Sequence, residues 1–206
     1  VIGRFSDLLC SQGGTTVLTE VPEMFGAETL LMNRCKNKIV FQKAVDIINR
    51  FKAYFISHHE VVYDNPSPGN HAGGITTLED KSCGCVQKSG SAPIEDVLDY
   101  GDRIDGKGLF MLYGPGNDMV SSTAMTACGA HLILFSTGRG TPFGTPAPVL
   151  KIASNTALFQ KKKNWIDFNA GTVADGVYTL DEAGQALFNL VLEIAEGKHT
   201  KSEDMG

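Results

Sequence analysis

The sequence predicts an α/β fold, with an open, mostly parallel sheet of the Rossmann-like kind, helices on both faces and long Gly/Pro-rich loops. Two observations carry this prediction. Short, continuously apolar runs such as residues 109–112 and 132–135 have the length of strands that are buried on both faces. These runs alternate with segments of helical period, which is typical of a parallel sheet covered by helices.

Composition supports a globular chain and excludes two classes of function. The 206 residues are 42% hydrophobic and 20% charged, which is enough apolar material for a sizeable core. The formal net charge of −5 argues against a nucleic-acid surface, which needs a basic face for phosphates. No apolar run approaches the roughly 20 residues that a membrane helix requires. We therefore expect neither nucleic acid nor membrane as a partner.

Local patterns predict the elements of the first half. Apolar residues recur at helical spacing in residues 40–57, and β-branched residues after a Gly-Gly pair predict a strand at 15–19. Thr76 and Glu79 have the capping-box spacing that opens a helix. Two prolines and three glycines make residues 63–75 an ordered loop. The predicted helices are 3–12, 22–34, 40–57, 76–87 and 94–100.

The second half alternates strand and helix. The predicted strands are 108–113, 131–136, 149–153 and 165–168, with helices at 119–128 and 180–195. We expect one α/β region over residues 1–196, with a division into subdomains at about 105/106 left open. Residues 197–206 are predicted to be a polar tail.

Cysteine usage predicts reduced thiols. The five cysteines are odd in number and scattered, and Cys83 and Cys85 form C-x-C without a second pair that would complete a zinc box. We therefore expect a cytoplasmic chain with inert, buried thiols.

Three loops rich in Gly, Pro, Asn and Ser follow predicted strands, at residues 20–26, 114–122 and 137–144. In open α/β sheets, ligands bind beyond the carboxyl ends of the strands, so these loops predict a polar, anion-capable pocket. Arg139 lies between Gly138 and Gly140 and can present its planar fork to a carboxylate or phosphate. A tight turn with a solvated arginine is the alternative. The glycine spacing matches neither a dinucleotide fingerprint nor a phosphate loop.

Residues 65–70 (NPSPGN) form a second candidate segment. Asn65, Ser67 and Asn70 supply neutral donors and acceptors on a stiffened backbone, which suits a polyhydroxylated ligand. A rigid structural connection is the alternative. Among the histidines, His71 alone is kept as a candidate acid, base or ligand.

Several motifs, taken in order, resemble the C-terminal region of the altronate dehydratase / galactarate dehydratase family. They are TEVPEMFGAE at 19–28, NPSPGN and AGG at 65–74, EDKSCG at 79–84, TGRGTPFG at 137–144, PVLKIASNT at 148–156 and WIDFNAG at 165–171. The resemblance covers nearly the whole chain, and its last motif favours altronate over galactarate.

The resemblance implies a hydro-lyase that removes water across C2 and C3 of a sugar acid, with D-altronate as the leading substrate, and gives a 2-keto-3-deoxy acid. It implies a divalent metal, Fe²⁺ with Mn²⁺ or Mg²⁺ as alternatives, and no organic cofactor. It also implies a small N-terminal SAF-type domain that is absent from these 206 residues, so the remainder of the longer chain is an expected partner. A homo-oligomer is compatible with these expectations.

With the resemblance, specific residues receive expected roles. Arg139, with Thr137, Gly138 and Gly140, is expected to bind the substrate carboxylate. Glu20 and Glu23 are candidates for the base or for metal ligands. Lys81 and, more weakly, Lys151 are candidates for the base or for charge neutralisation. His71 is a weak candidate for a metal ligand. Asn65, Ser67, Asn70 and Asn155 are expected to bind hydroxyl groups. Galactarate dehydration, a sulfolactate sulfo-lyase large subunit and a non-catalytic anion-binding domain are the alternatives.

Overall fold

The computed structural model describes residues 1–64 and 66–205 and has α/β architecture. Two three-stranded sheets, each wholly parallel, carry helices on both faces. The predicted open parallel architecture is confirmed, with the strands divided between two sheets. The first sheet contains β1 (Thr15–Leu18), β2 (Ile94–Leu98) and β3 (Gly108–Leu112) in the order β1-β3-β2. The second contains β4 (Ile133–Thr137), β5 (Val149–Ala153) and β6 (Phe168–Asn169) in sequence order.

Ten helices accompany the strands in the described part of the chain. They are α1 (Ile2–Ser11), α2 (Glu28–Met32), α3 (Lys38–Ser57), α4 (Pro68–Ala72), α5 (Leu78–Val86), α6 (Asp118–Cys128), α7 (Thr156–Lys161), α8 (Gly171–Ala174), α9 (Leu180–Ala195) and α10 (Lys201–Asp204). Two 3-10 turns, Val21–Met24 and Gln87–Ser89, add to them. None of these helices has both the length and the apolar character needed to cross a bilayer.

Each sheet is buried between helical layers. One face of the first sheet packs against α3, where Val40, Ala44 and Ile47 meet Ile94 and Met111. Its other face packs against α6 through a separate core cluster of Leu98, Phe110, Leu112, Ala124 and Cys128. In the second sheet, Leu150 and Ile152 pack against Phe5 of α1 and Leu187 of α9. Burial on both faces explains why these strands are continuous apolar runs.

Helix ends follow local capping chemistry. The Asn37 side chain accepts hydrogen bonds from two amides at the start of α3, and Thr179 with Glu182 forms a capping box on α9. The predicted cap of α5 was wrong by one residue, since Thr77 accepts from the Asp80 amide and the helix begins at Leu78.

The helix predicted at 94–100 was wrong, because these residues form strand β2, parallel to β3. The predicted helix at 22–34 is also wrong as one element, since Gly26, at a φ of +92°, separates the turn Val21–Met24 from α2. The predicted strand at 165–168 is reduced to β6, and helices α7 and α8 were not predicted. The strand predicted at 131–136 begins at Ile133 as β4, and His131 before it is exposed.

The polar tail is folded onto the second sheet. Thr200 is 1% exposed and forms a capping box with Glu203 at the start of α10. The Lys201 amide donates to the Asp167 carboxylate at 2.8 Å, and its ammonium donates to the Ile166 carbonyl at 2.6 Å. Hydrogen bonds therefore hold the predicted polar tail, residues 197–206, against the second sheet.

The predicted division at about 105/106 stays a prediction. Strand β3 lies beyond that point yet pairs with β1 and β2.

Candidate functional site

The carboxyl ends of β1 and β3 bring two of the predicted loops together. The two strands are parallel neighbours, and the Val21 amide donates to the Gly114 carbonyl at 3.0 Å. The Thr19 hydroxyl donates to the Leu112 carbonyl at 3.2 Å. A side chain on Gly114 would meet that hydroxyl at 2.4 Å, so glycine permits the close approach of the two loops.

Glu20 follows β1 in a left-handed backbone conformation, with a φ of 66° and a ψ of 59°. Non-glycine residues rarely adopt this region, and it costs about 1–3 kcal/mol where the surroundings enforce it. Here Val21 and Met24, 0% and 1% exposed, anchor the following turn in the core. The packing of that turn therefore fixes the direction of the Glu20 side chain.

Glu23 forms an ion pair with Lys81. Their carboxylate and ammonium are 2.8 Å apart, and the two side chains are 18% and 19% exposed. Lys81 lies on α5, which packs against the Val21–Met24 turn, and the buried Ser82 hydroxyl donates to the Phe25 carbonyl. The structure thus brings three of the predicted catalytic residues, Glu20, Glu23 and Lys81, to one place, which we call the glutamate cluster.

Burial raises the pKa of the Glu20 carboxyl above its ordinary value. The negative charges of Glu23 and Asp118 raise this pKa further, while Lys88 and Lys81 oppose the increase. A carboxyl whose pKa is moved upward in a cleft is a typical proton carrier in catalysis.

Two charged residues beside the glutamate cluster, Lys88 and Asp118, were not among the predicted site residues. Lys88 and Asp118 line the same cleft as Glu20 and act on its charge. Asp118, the first residue of α6, belongs to the segment 114–122 that the sequence indicated, whereas no local pattern distinguished Lys88. Cys85 also faces this cluster, and burial raises the pKa of its thiol, which keeps it protonated and inert.

The arginine loop, residues 137–141, follows β4. The Thr137 hydroxyl accepts hydrogen bonds from the amides of Arg139, Gly140 and Thr141 at 3.3, 2.9 and 3.4 Å. Thr137 is 8% exposed, so this hydroxyl organises the turn that carries Arg139. Gly140 has a φ of +83°, which the turn requires.

The guanidinium of Arg139 lies against α4. Its Nη2 donates to the Gly69 carbonyl at 3.4 Å, and a Cβ on Gly69 would be within 2.8–3.0 Å of three guanidinium atoms. Within residues 1–64 and 66–205, no carboxylate pairs with Arg139. An exposed guanidinium with donors to spare can hold an anionic ligand.

The expected hydroxyl-binding residues have local partners. Asn155 caps α7, since its Oδ1 accepts from the Leu158 amide at 2.8 Å, and its Nδ2 donates to the Gly138 carbonyl at 3.4 Å. The Asn70 amide donates to the Ser67 hydroxyl at 3.1 Å.

The remaining predicted site residues are Asn65, His71 and Lys151. Asn65 lies outside the described residues. His71 is exposed on α4. Lys151, in the central strand β5, is 3% exposed. Burial lowers the pKa of its ammonium, and the nearby negative charge of Asp167 offsets only part of this decrease.

The site residues therefore form two groups. One is the glutamate cluster at the first sheet, and the other joins the arginine loop, Asn155 and residues 67–70 at the second sheet. No hydrogen bond or ion pair between described residues links the two groups directly.

A divalent metal ion would need several side-chain donors in one place. Across the described ranges, no three His, Cys, Asp or Glu side chains are placed to hold one, and Glu23 is engaged with Lys81. These residues do not form a complete metal site by themselves, so the divalent metal stays a prediction.

Comparison with known proteins agrees with the sequence motifs. The sequence model of the family described as "D-galactarate/Altronate dehydratase, C-terminal" matches residues 1–206. Altronate dehydratases of Bacillus subtilis (strain 168) and Escherichia coli (strain K12) are 55% and 53% identical to the chain over 203 residues. The alignment covers 98% of this chain and 41% of either relative. Galactarate dehydratase (L-threo-forming) of Escherichia coli (strain K12) is 37% identical over 204 residues, which are 98% of this chain and 39% of that protein.

The chain spans about two fifths of the length of these curated relatives. The family resemblance in the motifs is confirmed, since both the family match and the pairwise identities extend over nearly all of the 206 residues. The chain therefore belongs to the D-galactarate/altronate dehydratase family, as its C-terminal region.

Proposed function

We propose that the protein to which this chain belongs is a hydro-lyase that dehydrates a sugar acid, with D-altronate as the preferred substrate. The identities of 55% and 53% to two altronate dehydratases, against 37% to a galactarate dehydratase, support this order of substrates. The observation that carries the proposal is Glu20, a carboxyl of raised pKa beside the Glu23–Lys81 pair at the carboxyl end of β1.

Dehydration requires two proton movements. The C2–H bond breaks and its proton passes to a base, the electron pair forms the C2–C3 double bond, and the C3–OH bond breaks with a proton supplied to the departing hydroxide. The resulting enol gains a proton at C3 and loses the proton of its C2 hydroxyl, which gives the 2-keto-3-deoxy acid. A carboxyl whose pKa is moved towards neutrality can both accept and return a proton, so we assign this role to Glu20.

Cations near the substrate carboxylate lower the cost of the negative charge that develops when the C2 proton leaves. Arg139 is proposed to bind that carboxylate through its planar fork, with Thr137, Gly138 and Gly140 setting the shape of the loop. Lys81 holds Glu23 in place and adds positive charge next to Glu20. Asn65, Ser67, Asn70 and Asn155 remain proposed partners of the substrate hydroxyls.

The divalent metal is proposed on the family resemblance alone. We expect Fe²⁺, with Mn²⁺ or Mg²⁺ as alternatives, and metal analysis of the full-length protein tests this expectation. Activity that survives complete removal of divalent metal would contradict it.

The five cysteines are free thiols, which supports the expected cytoplasmic location.

The proposed role of Glu20 is tested in the full-length protein by the variant Glu20→Gln. We expect kcat for D-altronate to fall by about 10²–10⁴, the usual contribution of a positioned acid or base, with little change in KM. Exchange of the C2 proton with D2O should fall in parallel. The control is Glu196→Gln, an exposed glutamate at the end of α9. Wild-type kcat and exchange in Glu20→Gln would overturn the assignment.

A substrate panel separates the alternatives. Keto-acid formation is measured with D-altronate and galactarate, and sulfite release is measured with sulfolactate. Faster turnover of galactarate would replace the proposed substrate, and sulfite release would indicate a sulfo-lyase. Binding of sugar acids without turnover of any of them, in metal-replete full-length protein, would establish a non-catalytic anion-binding protein and refute the proposal.

A further inference from the structure

Two strand edges face a large cleft between the sheets. In the described residues, β1 pairs with β3 alone and β4 pairs with β5 alone, so each has one free side. The cleft has a volume of about 1040 Å³ and is lined by consecutive residues of both segments, 15–19 and 132–136. A free edge presents a row of unpaired N–H and C=O groups that can pair with another strand.

The helical layers continue across this cleft on both sides. On one side, α1 packs on the first sheet and its Phe5 also contacts Leu150 and Leu187 of the second sheet and α9. On the other side, Met125 of α6 packs against the core cluster that contains Leu112 and against the one that contains Ile133. The two sheets therefore occupy one layer between common helices, and the cleft interrupts that layer.

The connection between the sheets has the form of a parallel crossover. Strand β3 leads through α6 to β4, and a strand–helix–strand unit of this kind usually lies within a single parallel sheet. In this chain the cleft separates the first sheet from β4. The half-buried side chains that line it include Val17, Leu134 and Val191, so its walls are largely apolar.

We propose that an apolar β-strand from the part of the longer protein outside these 206 residues inserts between β1 and β4 and joins the two sheets into one. The cleft follows each edge for five residues, roughly 16 Å at the rise of a strand, which matches a strand of common length. The two altronate dehydratases are long enough to contain such a strand outside the aligned segment, since that segment is 41% of their length. A strand buried on both faces is apolar, as the walls of the cleft are.

The inserted strand would also complete the site. Glu20, Lys88 and Asp118 line the cleft beyond the carboxyl end of β1, and Ser136 lines it one residue before the arginine loop. The residues at the carboxyl end of the new strand would therefore lie between the glutamate cluster and the arginine loop. Ligands of open α/β sheets bind beyond the carboxyl ends of the strands, where those residues would contact the substrate. The insertion itself does not depend on which sugar acid is dehydrated.

Photo-crosslinking in the full-length protein tests the insertion. A benzophenone amino acid replaces Val191, which lines the cleft, and in a second variant it replaces Leu134 of β4. The matched control is Leu192, the next residue of α9, which is 45% exposed on the outer surface. Equal mixtures of ¹⁴N- and ¹⁵N-labelled protein distinguish links within one chain from links between copies.

We expect Val191 and Leu134 to form links, within one chain, to a common apolar peptide outside residues 1–206, and Leu192 to give no link to that peptide. Amide hydrogen exchange should show slow exchange on β1 and β4, as in β3 and β5. Links confined to residues 1–206 would overturn the proposal, and links between ¹⁴N and ¹⁵N chains would replace the strand with a second copy. Fast exchange along both edges in the full-length protein would also refute it.

Discussion

The substitution Gly69→Ala tests whether Arg139 binds the substrate, because it moves the guanidinium without removing it. The new Cβ would be 2.8 Å from Nη2, 2.9 Å from Cζ and 3.0 Å from Nη1. Ordinary contact requires about 3.4 Å or more, so the guanidinium must withdraw by roughly 0.6 Å. The end of an arginine side chain is flexible and Gly69 lies in α4, so the fold should tolerate the change.

The kinetic effect follows from the geometry. Hydrogen bonds to charged groups contribute about 1.5–3 kcal/mol, so complete loss in Arg139→Ala should reduce kcat/KM by roughly 10- to 150-fold. A functional group tolerates a displacement of about 0.5 Å, so Gly69→Ala should lie between wild type and Arg139→Ala, with about a tenfold loss expressed mainly in KM.

The assay is steady-state dehydration of D-altronate by the full-length protein, with thermal unfolding measured alongside. Gly73→Ala is the matched control, because a Cβ there meets its nearest atom at 3.4 Å and the guanidinium is not among its neighbours. Wild-type KM in Gly69→Ala, or equal losses in both variants, would refute the role of Arg139 in binding the carboxylate.

Three further predictions concern stability and pH. The pKa of Glu20 is raised in the folded protein, so the wild type should lose stability relative to Glu20→Gln as the pH rises from 4.5, the ordinary pKa, to the raised pKa of the folded state. The difference should grow by about 1.4 kcal/mol for each pH unit in this range and stay constant above it. Equal melting temperatures of the two proteins from pH 4 to 8 would contradict this prediction. Gly171→Ala should lower the free energy of unfolding in urea by about 1–3 kcal/mol, because its Cβ would lie 2.3 Å from the Thr156 amide nitrogen. The control Gly84→Ala should be neutral or stabilising, because Gly84 has a helical backbone and open space around it. Thr179→Ala should cost about 1 kcal/mol through loss of the α9 capping box, and an unchanged urea midpoint would show that the cap contributes nothing.

The apolar strands β3, β4 and β5 could be predicted from the sequence because burial on both faces leaves a direct mark on composition. Strand β2 (IEDVL) could not, since its adjacent acidic residues Glu95 and Asp96 break the apolar pattern of a buried strand and resemble a short helix. In the structure Glu95 and Asp96 pair with Lys36 and Lys43, which no local pattern indicates. Here tertiary contacts override local preference.

The candidate site was predicted in part. The loops that follow strands identified the segments that carry Glu20, Glu23 and Arg139, because strand ends in a parallel sheet share an edge. The roles expected of the two glutamates came from the family resemblance. Lys88 comes from a 3-10 turn far along the chain, and its proximity to Glu20 arises from the packing of α5. The contact between Arg139 and Gly69 joins residues 70 positions apart, which spacing alone does not predict.

The left-handed backbone of Glu20 has a consequence for selection experiments. Glycine is relaxed at a φ of 66°, so Glu20→Gly removes both the strain and the half-buried carboxyl. A library screened for heat resistance alone should therefore enrich glycine at this position, while a library screened for growth on the substrate should retain glutamate. Comparing the two enrichments would measure how far folding and activity make opposite demands on a single residue.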